Sequence, residues 1–155
     1  MDSITALTTL KTRLQAILTD PRVTAGAVDA RTWIYTDEPL LGTRYPYIQL
    51  EKLNNPTSNI SIGSNYWEHE LLLVNVWFYT KNGFKNTIGG TDYVNAQLVE
   101  YNLGQIKEKL KDDFDNLFTA GLGGYRHLNT TKVGYDPKTQ LYFGGVTIRV
   151  WYFNQ

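Results

Sequence analysis

Apolar residues recur at three- and four-residue spacing through Ile4, Leu7, Leu10, Leu14, Ile17 and Leu18, which predicts a helix over 3–19. Asp2 or Ser3 stands where that helix needs a cap, and Pro21 forbids its continuation. Beyond it the period shortens to two. Thr32–Thr36 reads as a short strand holding Trp33 and Tyr35, and Asp37–Glu38–Pro39 with Gly42 as a turn. A second strand runs from Tyr47 to about Leu53, with Pro46 at its entry, where a missing amide does least harm. Residues 54–65 are polar, turn-rich and nearly uncharged, a longer connection than a tight hairpin uses. Trp67–Thr80 is the clearest strand in the chain.

Lys81–Gly90 contains Asn82–Gly83 and Gly89–Gly90 and reads as a flexible connection. Thr91 is placed to cap a long helix running to about Phe118, with Val94, Leu98, Tyr101, Ile106, Leu110, Phe114 and Leu117 as its buried stripe. Lys109 with Asp113 and Lys111 with Asp115 stand four apart on its polar face, and Gly121–Leu122–Gly123–Gly124 stops it. Thr130–Tyr135 and Gln140–Phe153 then flank the turn Asp136–Pro137–Lys138–Thr139. The order α-β-β-β-α-β-β, with hairpin-type links, predicts one α+β domain over 1–155: an antiparallel sheet of about five strands with two helices on one face.

Alternation separates the two faces of that sheet. Leu72, Val74, Val76 and Phe78 share a side with Val146, Ile148, Val150 and Tyr152 only if the aliphatic faces coincide, and that face suits the helices. The opposite side carries Leu71, Leu73, Asn75, Trp77 and Tyr79 on one strand and Thr147, Arg149, Trp151 and Phe153 on the other. A bulge is expected at Gly144–Gly145. Two helices cover one face only, so the aromatic side predicts a contact surface of Trp77, Tyr79, Arg149, Trp151 and Phe153. The last strand, at about 3.3 Å per residue, is long enough to overhang the domain and to offer its edge to a neighbour.

Composition narrows the chemistry. The chain has 155 residues, 42% of them hydrophobic and 19% charged, a folding composition. Fifteen basic and fifteen acidic residues cancel, which argues against a nucleic-acid backbone as the main partner. The absence of cysteine removes disulfides, thiolate zinc sites, iron–sulfur clusters and a cysteine nucleophile. Met1–Asp20 has neither the basic start nor the apolar run of an export signal, and the longest fully apolar stretch, Leu71–Val74, is far short of the roughly 20 residues of a membrane helix. A soluble protein made in a cytoplasm is expected, with the sequons at Asn59 and Asn129 arising by chance. Four Trp, eleven Tyr and six Phe are the unusual component, and Tyr suits half-wet interfaces.

No motif specifies a reaction, so no catalytic residue, cofactor or metal ligand is expected. Trp67–Glu68–His69–Glu70 has one histidine on a strand, where alternation turns His69 away from Glu68 and Glu70; it reads as polar cross-strand pairing. His127, in a loop with Asp136 downstream, lacks a Gly-x-Ser-x-Gly elbow to present a nucleophile. Gly121–Gly124 follows a helix instead of opening one, and Gly83 and Gly89 lack phosphate-loop spacing. Gly89–Gly90–Thr91 reads as a cap and hinge before a helix, the alternative being an anion site at its N-terminus. Lys107–Asp115 reads as a solvated helix face.

The N-terminal helix, the Tyr-Pro-Tyr-Ile-Gln-Leu strand at 45–50, the helix after a strong third strand and the closing Gly-Gly-Val-Thr-Ile-Arg-Val-Trp-Tyr-Phe strand together resemble the tail terminator, or tail-completion, proteins of long-tailed bacterial or archaeal viruses. The resemblance lies in element order across nearly the whole chain. It implies a non-enzymatic virion protein, assembled in the host cytoplasm, that forms a six-fold ring. Such a ring caps the tail tube, ends its polymerisation and joins it to the head connector, so its partners are sister copies, the tail tube protein, a connector or neck protein, and DNA passing without sequence-specific contact. The resemblance further implies that Asn54, Asn55, Ser58, Asn59, Ser61, Ser64 and Asn65 project toward the lumen or tube. Two readings from other classes stand beside it. One is a small-molecule-binding or hydrolytic α+β domain with a pocket between sheet and long helix, lined by His69 or His127; the other is a carbohydrate-binding module using Trp33, Trp67, Trp77 and Trp151 as stacking platforms.

Overall fold

Two 14-residue antiparallel strands, β3 (Glu68–Lys81) and β8 (Leu141–Asn154), form the spine of the molecule. In the computed structural model they pair without interruption from Lys81↔Leu141 to Glu68↔Asn154. The structure describes residues 1–24, 32–37, 39, 44–53 and 68–154, with backbone alone at 24, 68, 69, 153 and 154. The other elements are α1 (Ser3–Ile17), α2 (Pro21–Thr24), β1 (Ile34–Tyr35), β2 (Tyr47–Lys52), β4 (Lys85–Ile88), β5 (Thr91–Val94), α3 (Asn95–Asp112), α4 (Phe114–Thr119), β6 (Leu122–Thr130) and β7 (Gly134–Asp136). Six strands make the main sheet in the order β1-β2-β3-β8-β6, with β7 beside β8, while β4 and β5 form a separate hairpin. The fold is α+β and its main sheet is mostly antiparallel.

The aliphatic face is the core face. Leu72, Val74, Val76, Phe78, Val146, Ile148 and Val150 have no exposed surface, and Ile48, Leu50 and Tyr152 continue the layer. Leu7, Leu10 and Leu14 of α1 and Leu98, Leu103, Ile106 and Leu110 of α3 pack onto it. Asp2 caps α1, its Oδ1 accepting from the Thr5 amide at 2.7 Å. Pro21 opens α2, at the first helical position where its missing amide costs least.

Several expectations are corrected. The first two strands run parallel, with Ile34 beside Ile48 and Tyr35 beside Gln49, and do not form the antiparallel pair that hairpin-type links predict. Thr91 does not cap a helix: Gly89 and Gly90, at φ +57° and +82°, close a two-residue turn between β4 and β5 in a stretch expected to be flexible. The helix starts at Asn95, whose φ of 54° turns the chain out of β5 and whose side-chain oxygen accepts from the Gly83 amide at 2.9 Å.

The glycine cluster after the helices is also more than a stop. Gly121, at φ +88°, ends α4, and Leu122 then opens a nine-residue strand. That strand pairs with β8 from Leu122↔Tyr152 to Thr130↔Val146, so β8 lies inside the sheet and offers no free edge there. The expected bulge at Gly144–Gly145 is absent from the β3–β8 ladder; the register shifts fall in β6, between Leu122 and Gly124 and between His127 and Asn129. Gly144 instead admits α3, since a Cβ there would stand 2.9 Å from both Leu103 and Val99 side chains.

Asp113 is not the partner of Lys109 on a solvated face. It is 5% exposed and receives Arg13 in a two-pronged pair, Nε to Oδ2 at 2.8 Å, tying α1 to the α3–α4 junction. The guanidinium holds the Asp113 carboxyl below the usual carboxylate range. Breaking the helix at Asp113 rotates Phe114 out of the expected buried stripe: Phe114 is 50% and Phe118 58% exposed, while Leu117 is fully buried.

Candidate assembly surfaces

The second face of the sheet is built from aromatic rings laid over glycines. Trp77 stands directly opposite Gly145, Phe143 opposite Gly134 and Trp151 opposite Gly124. A Cβ on Gly145 would come within 2.7 Å of the Trp77 ring, one on Gly134 within 2.6 Å of Phe143, and one on Gly124 within 3.0 Å of Trp151. Each ring thus lies on bare backbone, a cross-strand pairing that only glycine permits. The rings also touch one another: Tyr47 and Tyr79 stack at 5.0 Å between centroids, Tyr79 lies 6.2 Å from Phe143, and Phe143 lies 6.4 Å from Trp77. Trp77, Tyr79, Arg149 and Trp151 are all half-buried as a result.

A polar line crosses the same face. Thr147 donates to Asn75 Oδ1 at 2.7 Å, Asn75 Nδ2 reaches Glu51 Oε2 at 3.3 Å, and Trp77 Nε1 donates to that same oxygen at 2.7 Å. The network spans β8, β3 and β2 and fixes the indole of Trp77. Farther along, Arg149 lies with its guanidinium carbon 4.9 Å from the Trp151 ring centroid. Arg126 is directly opposite it on β6, a like-charge pair that weakens a ladder. The Arg149 Nε is buried with no hydrogen-bond partner, and among the described residues no carboxylate pairs with either arginine.

Four of the five predicted contact residues therefore share one face, and the Phe153 side chain lies outside the described residues, as do Asn54, Asn55, Ser58, Asn59, Ser61, Ser64, Asn65 and Trp67. Sequence reasoning missed the glycines beneath the rings. It also missed a second surface on the helix side, where Phe114 and Phe118 stand four apart on α4 with Asp112 and Asp115 exposed beside them in sequence. A change of helical phase at Asp113 was the signal.

No protein-family model matches this chain, and no curated protein is significantly similar to it. Glu70 accepts from the Tyr152 hydroxyl directly across the ladder, as cross-strand pairing requires; burial first, and this bond second, push the Tyr152 hydroxyl's pKa up. His127 is exposed and contacts Thr130 Oγ1 at 2.9 Å. Asp136 accepts from the Lys138 amide at 3.0 Å and the Thr139 hydroxyl at 2.8 Å and so shapes its own turn. Among the described residues no three His, Asp or Glu side chains converge to hold a metal ion. Trp33 is 5% exposed and belongs to the core, so it is no stacking platform. No helix among the described residues is long and apolar enough to cross a membrane.

Proposed function

We propose that this chain is a structural ring protein of the tail-terminator type, acting in a virion to cap a tail tube and join it to the head connector. The observation that carries the reading is the pair of unlike surfaces on one chain. One is the aromatic face with Arg126 and Arg149, where a buried guanidinium nitrogen lacks an acceptor. The other is the α4 surface with Phe114 and Phe118 beside Asp112 and Asp115. Aromatic and arginine side chains are the residues that interfaces enrich, and the carboxylates beside α4 complement the like-charged Arg126–Arg149 pair. Unlike surfaces that meet head to tail generate a ring when the rotation closes. In this reading the α4 surface of one copy seats on the aromatic face of the next, and the tube protein, the connector and passing DNA meet the ring's ends and lumen.

Trp151→Asp tests the reading, because it places a carboxylate among the rings of the receiving face. The wild-type chain is expected as a species six times 17.7 kDa, and the variant as a folded 17.7 kDa monomer. Phe118→Asp, on an exposed position of the other surface, is expected to give the same monomer. A ring that survives Phe118→Asp overturns the proposed contact, whatever Trp151→Asp does to folding.

A further inference from the structure

Two tyrosines face each other where the three-residue strand β7 pairs with β8. Tyr135 and Tyr142 are direct register partners, so both rings stand on one side of the ladder. Their centroids are 4.5 Å apart, with the planes tilted by 35°. Tyr142 packs against the core and is held there, whereas Tyr135 is 44% exposed, the most exposed tyrosine of the described residues. Asp136 fixes the turn between them by accepting from the Lys138 amide and the Thr139 hydroxyl. β7 pairs with β8 alone, so a small movement of Tyr135 disturbs no second strand. The other tyrosine pairs lack an exposed member. Tyr93 and Tyr101 are equally close, at 4.5 Å, but both are half-buried, and Tyr47, which touches Tyr35, Tyr45 and Tyr79, is 8% exposed.

A phenol within reach of solvent gives up one electron and one proton to a peroxidase, and its radical spreads onto the ring carbons beside the oxygen. Two such rings held in contact react as if at a concentration far above any reached between separate chains. We propose that Tyr135 and Tyr142 are an oxidative cross-linking site, joined within one chain as dityrosine by a haem peroxidase using hydrogen peroxide. Tyr135 meets the oxidant, exchanges its radical with Tyr142 at contact distance and is oxidised a second time. An ortho carbon of one ring then bonds to an ortho carbon of the other, and the two displaced ring hydrogens move to the oxygens and restore both phenols. The two electrons and two protons lost reduce one peroxide to two waters. The new bond closes the 135–142 segment and fastens β7 to the sheet. Both rings stand on the core side of the ribbon, opposite the face of Gly134 and Phe143, so the site does not depend on ring assembly.

The full-length wild-type chain, treated at micromolar concentration with a haem peroxidase and hydrogen peroxide, tests the assignment. After denaturation a product of monomer mass is expected, lighter by two hydrogens and emitting as dityrosine. Trypsin cuts after Lys132, Lys138 and Arg149, so peptides 133–138 and 139–149 are expected to leave as one joined species. Tyr135→Phe keeps the ring and removes the phenol; it is expected to lose that species and most of the monomer's dityrosine emission. A cross-link that maps chiefly to Tyr93 and Tyr101, or to any other pair, overturns the proposal. So does dityrosine found only between chains, or none at all while the same peroxidase couples free tyrosine. The peptide map uses the wild-type chain and stands whether or not the variant folds.

Discussion

The two faces of the β3–β8 ribbon solve the same problem with different materials. On the core face, aliphatic side chains from adjacent strands meet helices α1 and α3 and lose all contact with water. On the other face, no helix of the described residues covers the strands; rings lie over glycines and stack on one another, and Trp77 and Asn75 share one carboxylate, Glu51. The first arrangement excludes solvent and is complete within the chain. The second fixes the position of each aromatic group while leaving it half-exposed, which is the state that the proposed assembly needs. Rigid rings that are already ordered lose little entropy on binding, so a self-tiled face binds better than a loose one.

Adjacent residues of β3 give the sharpest contrast. Phe78 has no exposed surface and Tyr79 is half-buried. Phe78→Ala is expected to destabilise the chain by about 4 kcal/mol, transfer and cavity together, and Tyr79→Ala by about 1 kcal/mol, read from denaturant melts. Comparable losses at the two positions would show that the second face is core as well.

Next in size is the clamp that holds the helical layer in place. Asp113→Ala leaves Arg13 without its partner and is expected to cost about 2–3 kcal/mol. Asp113 is held below its ordinary pKa, so its contribution is fully present above the unfolded value and is lost as pH falls through the folded one. Wild-type stability should therefore fall below about pH 4, and the part owed to Asp113 should be missing from the variant's pH profile.

Gly145→Ala then probes the tiling itself. The added methyl meets the Trp77 ring at 2.7 Å, which must move, at an expected cost of about 2 kcal/mol. Trp77→Ala in the same chain should recover most of that loss, a coupling that a double-mutant cycle measures. Glu51→Gln is the smallest change, about 1 kcal/mol, because Trp77 keeps an acceptor but loses a charged one.

Periodicity made the ribbon legible. The alternation of Leu72, Val74, Val76 and Phe78 identified the core side of β3, and the α1 stripe found buried Leu7, Leu10 and Leu14 but missed Ala6 and included Ile4, which is 75% exposed. Trp77, Tyr79, Arg149 and Trp151 were placed on one face by the same argument. What failed was glycine. Gly121–Gly124 reads as punctuation in a sequence, yet Gly124 is a strand residue whose missing side chain receives Trp151. Gly144 and Gly145 read as a bulge, yet they face α3 and Trp77 from opposite sides of an unbroken strand. A residue with no side chain carries no periodic signal, so the strands it helps to build are seen only through their partners. Asp113 failed for a related reason: its partner Arg13 is a hundred residues away, whereas Lys109 is nearby in sequence.

In the proposed ring the aromatic face and the α4 surface join copies of this chain. Sedimentation of the wild-type protein from micromolar to millimolar concentration tests it most directly. A discrete species at six times 17.7 kDa is expected, reduced to 17.7 kDa by Phe118→Asp. A single 17.7 kDa species across the whole range would contradict it.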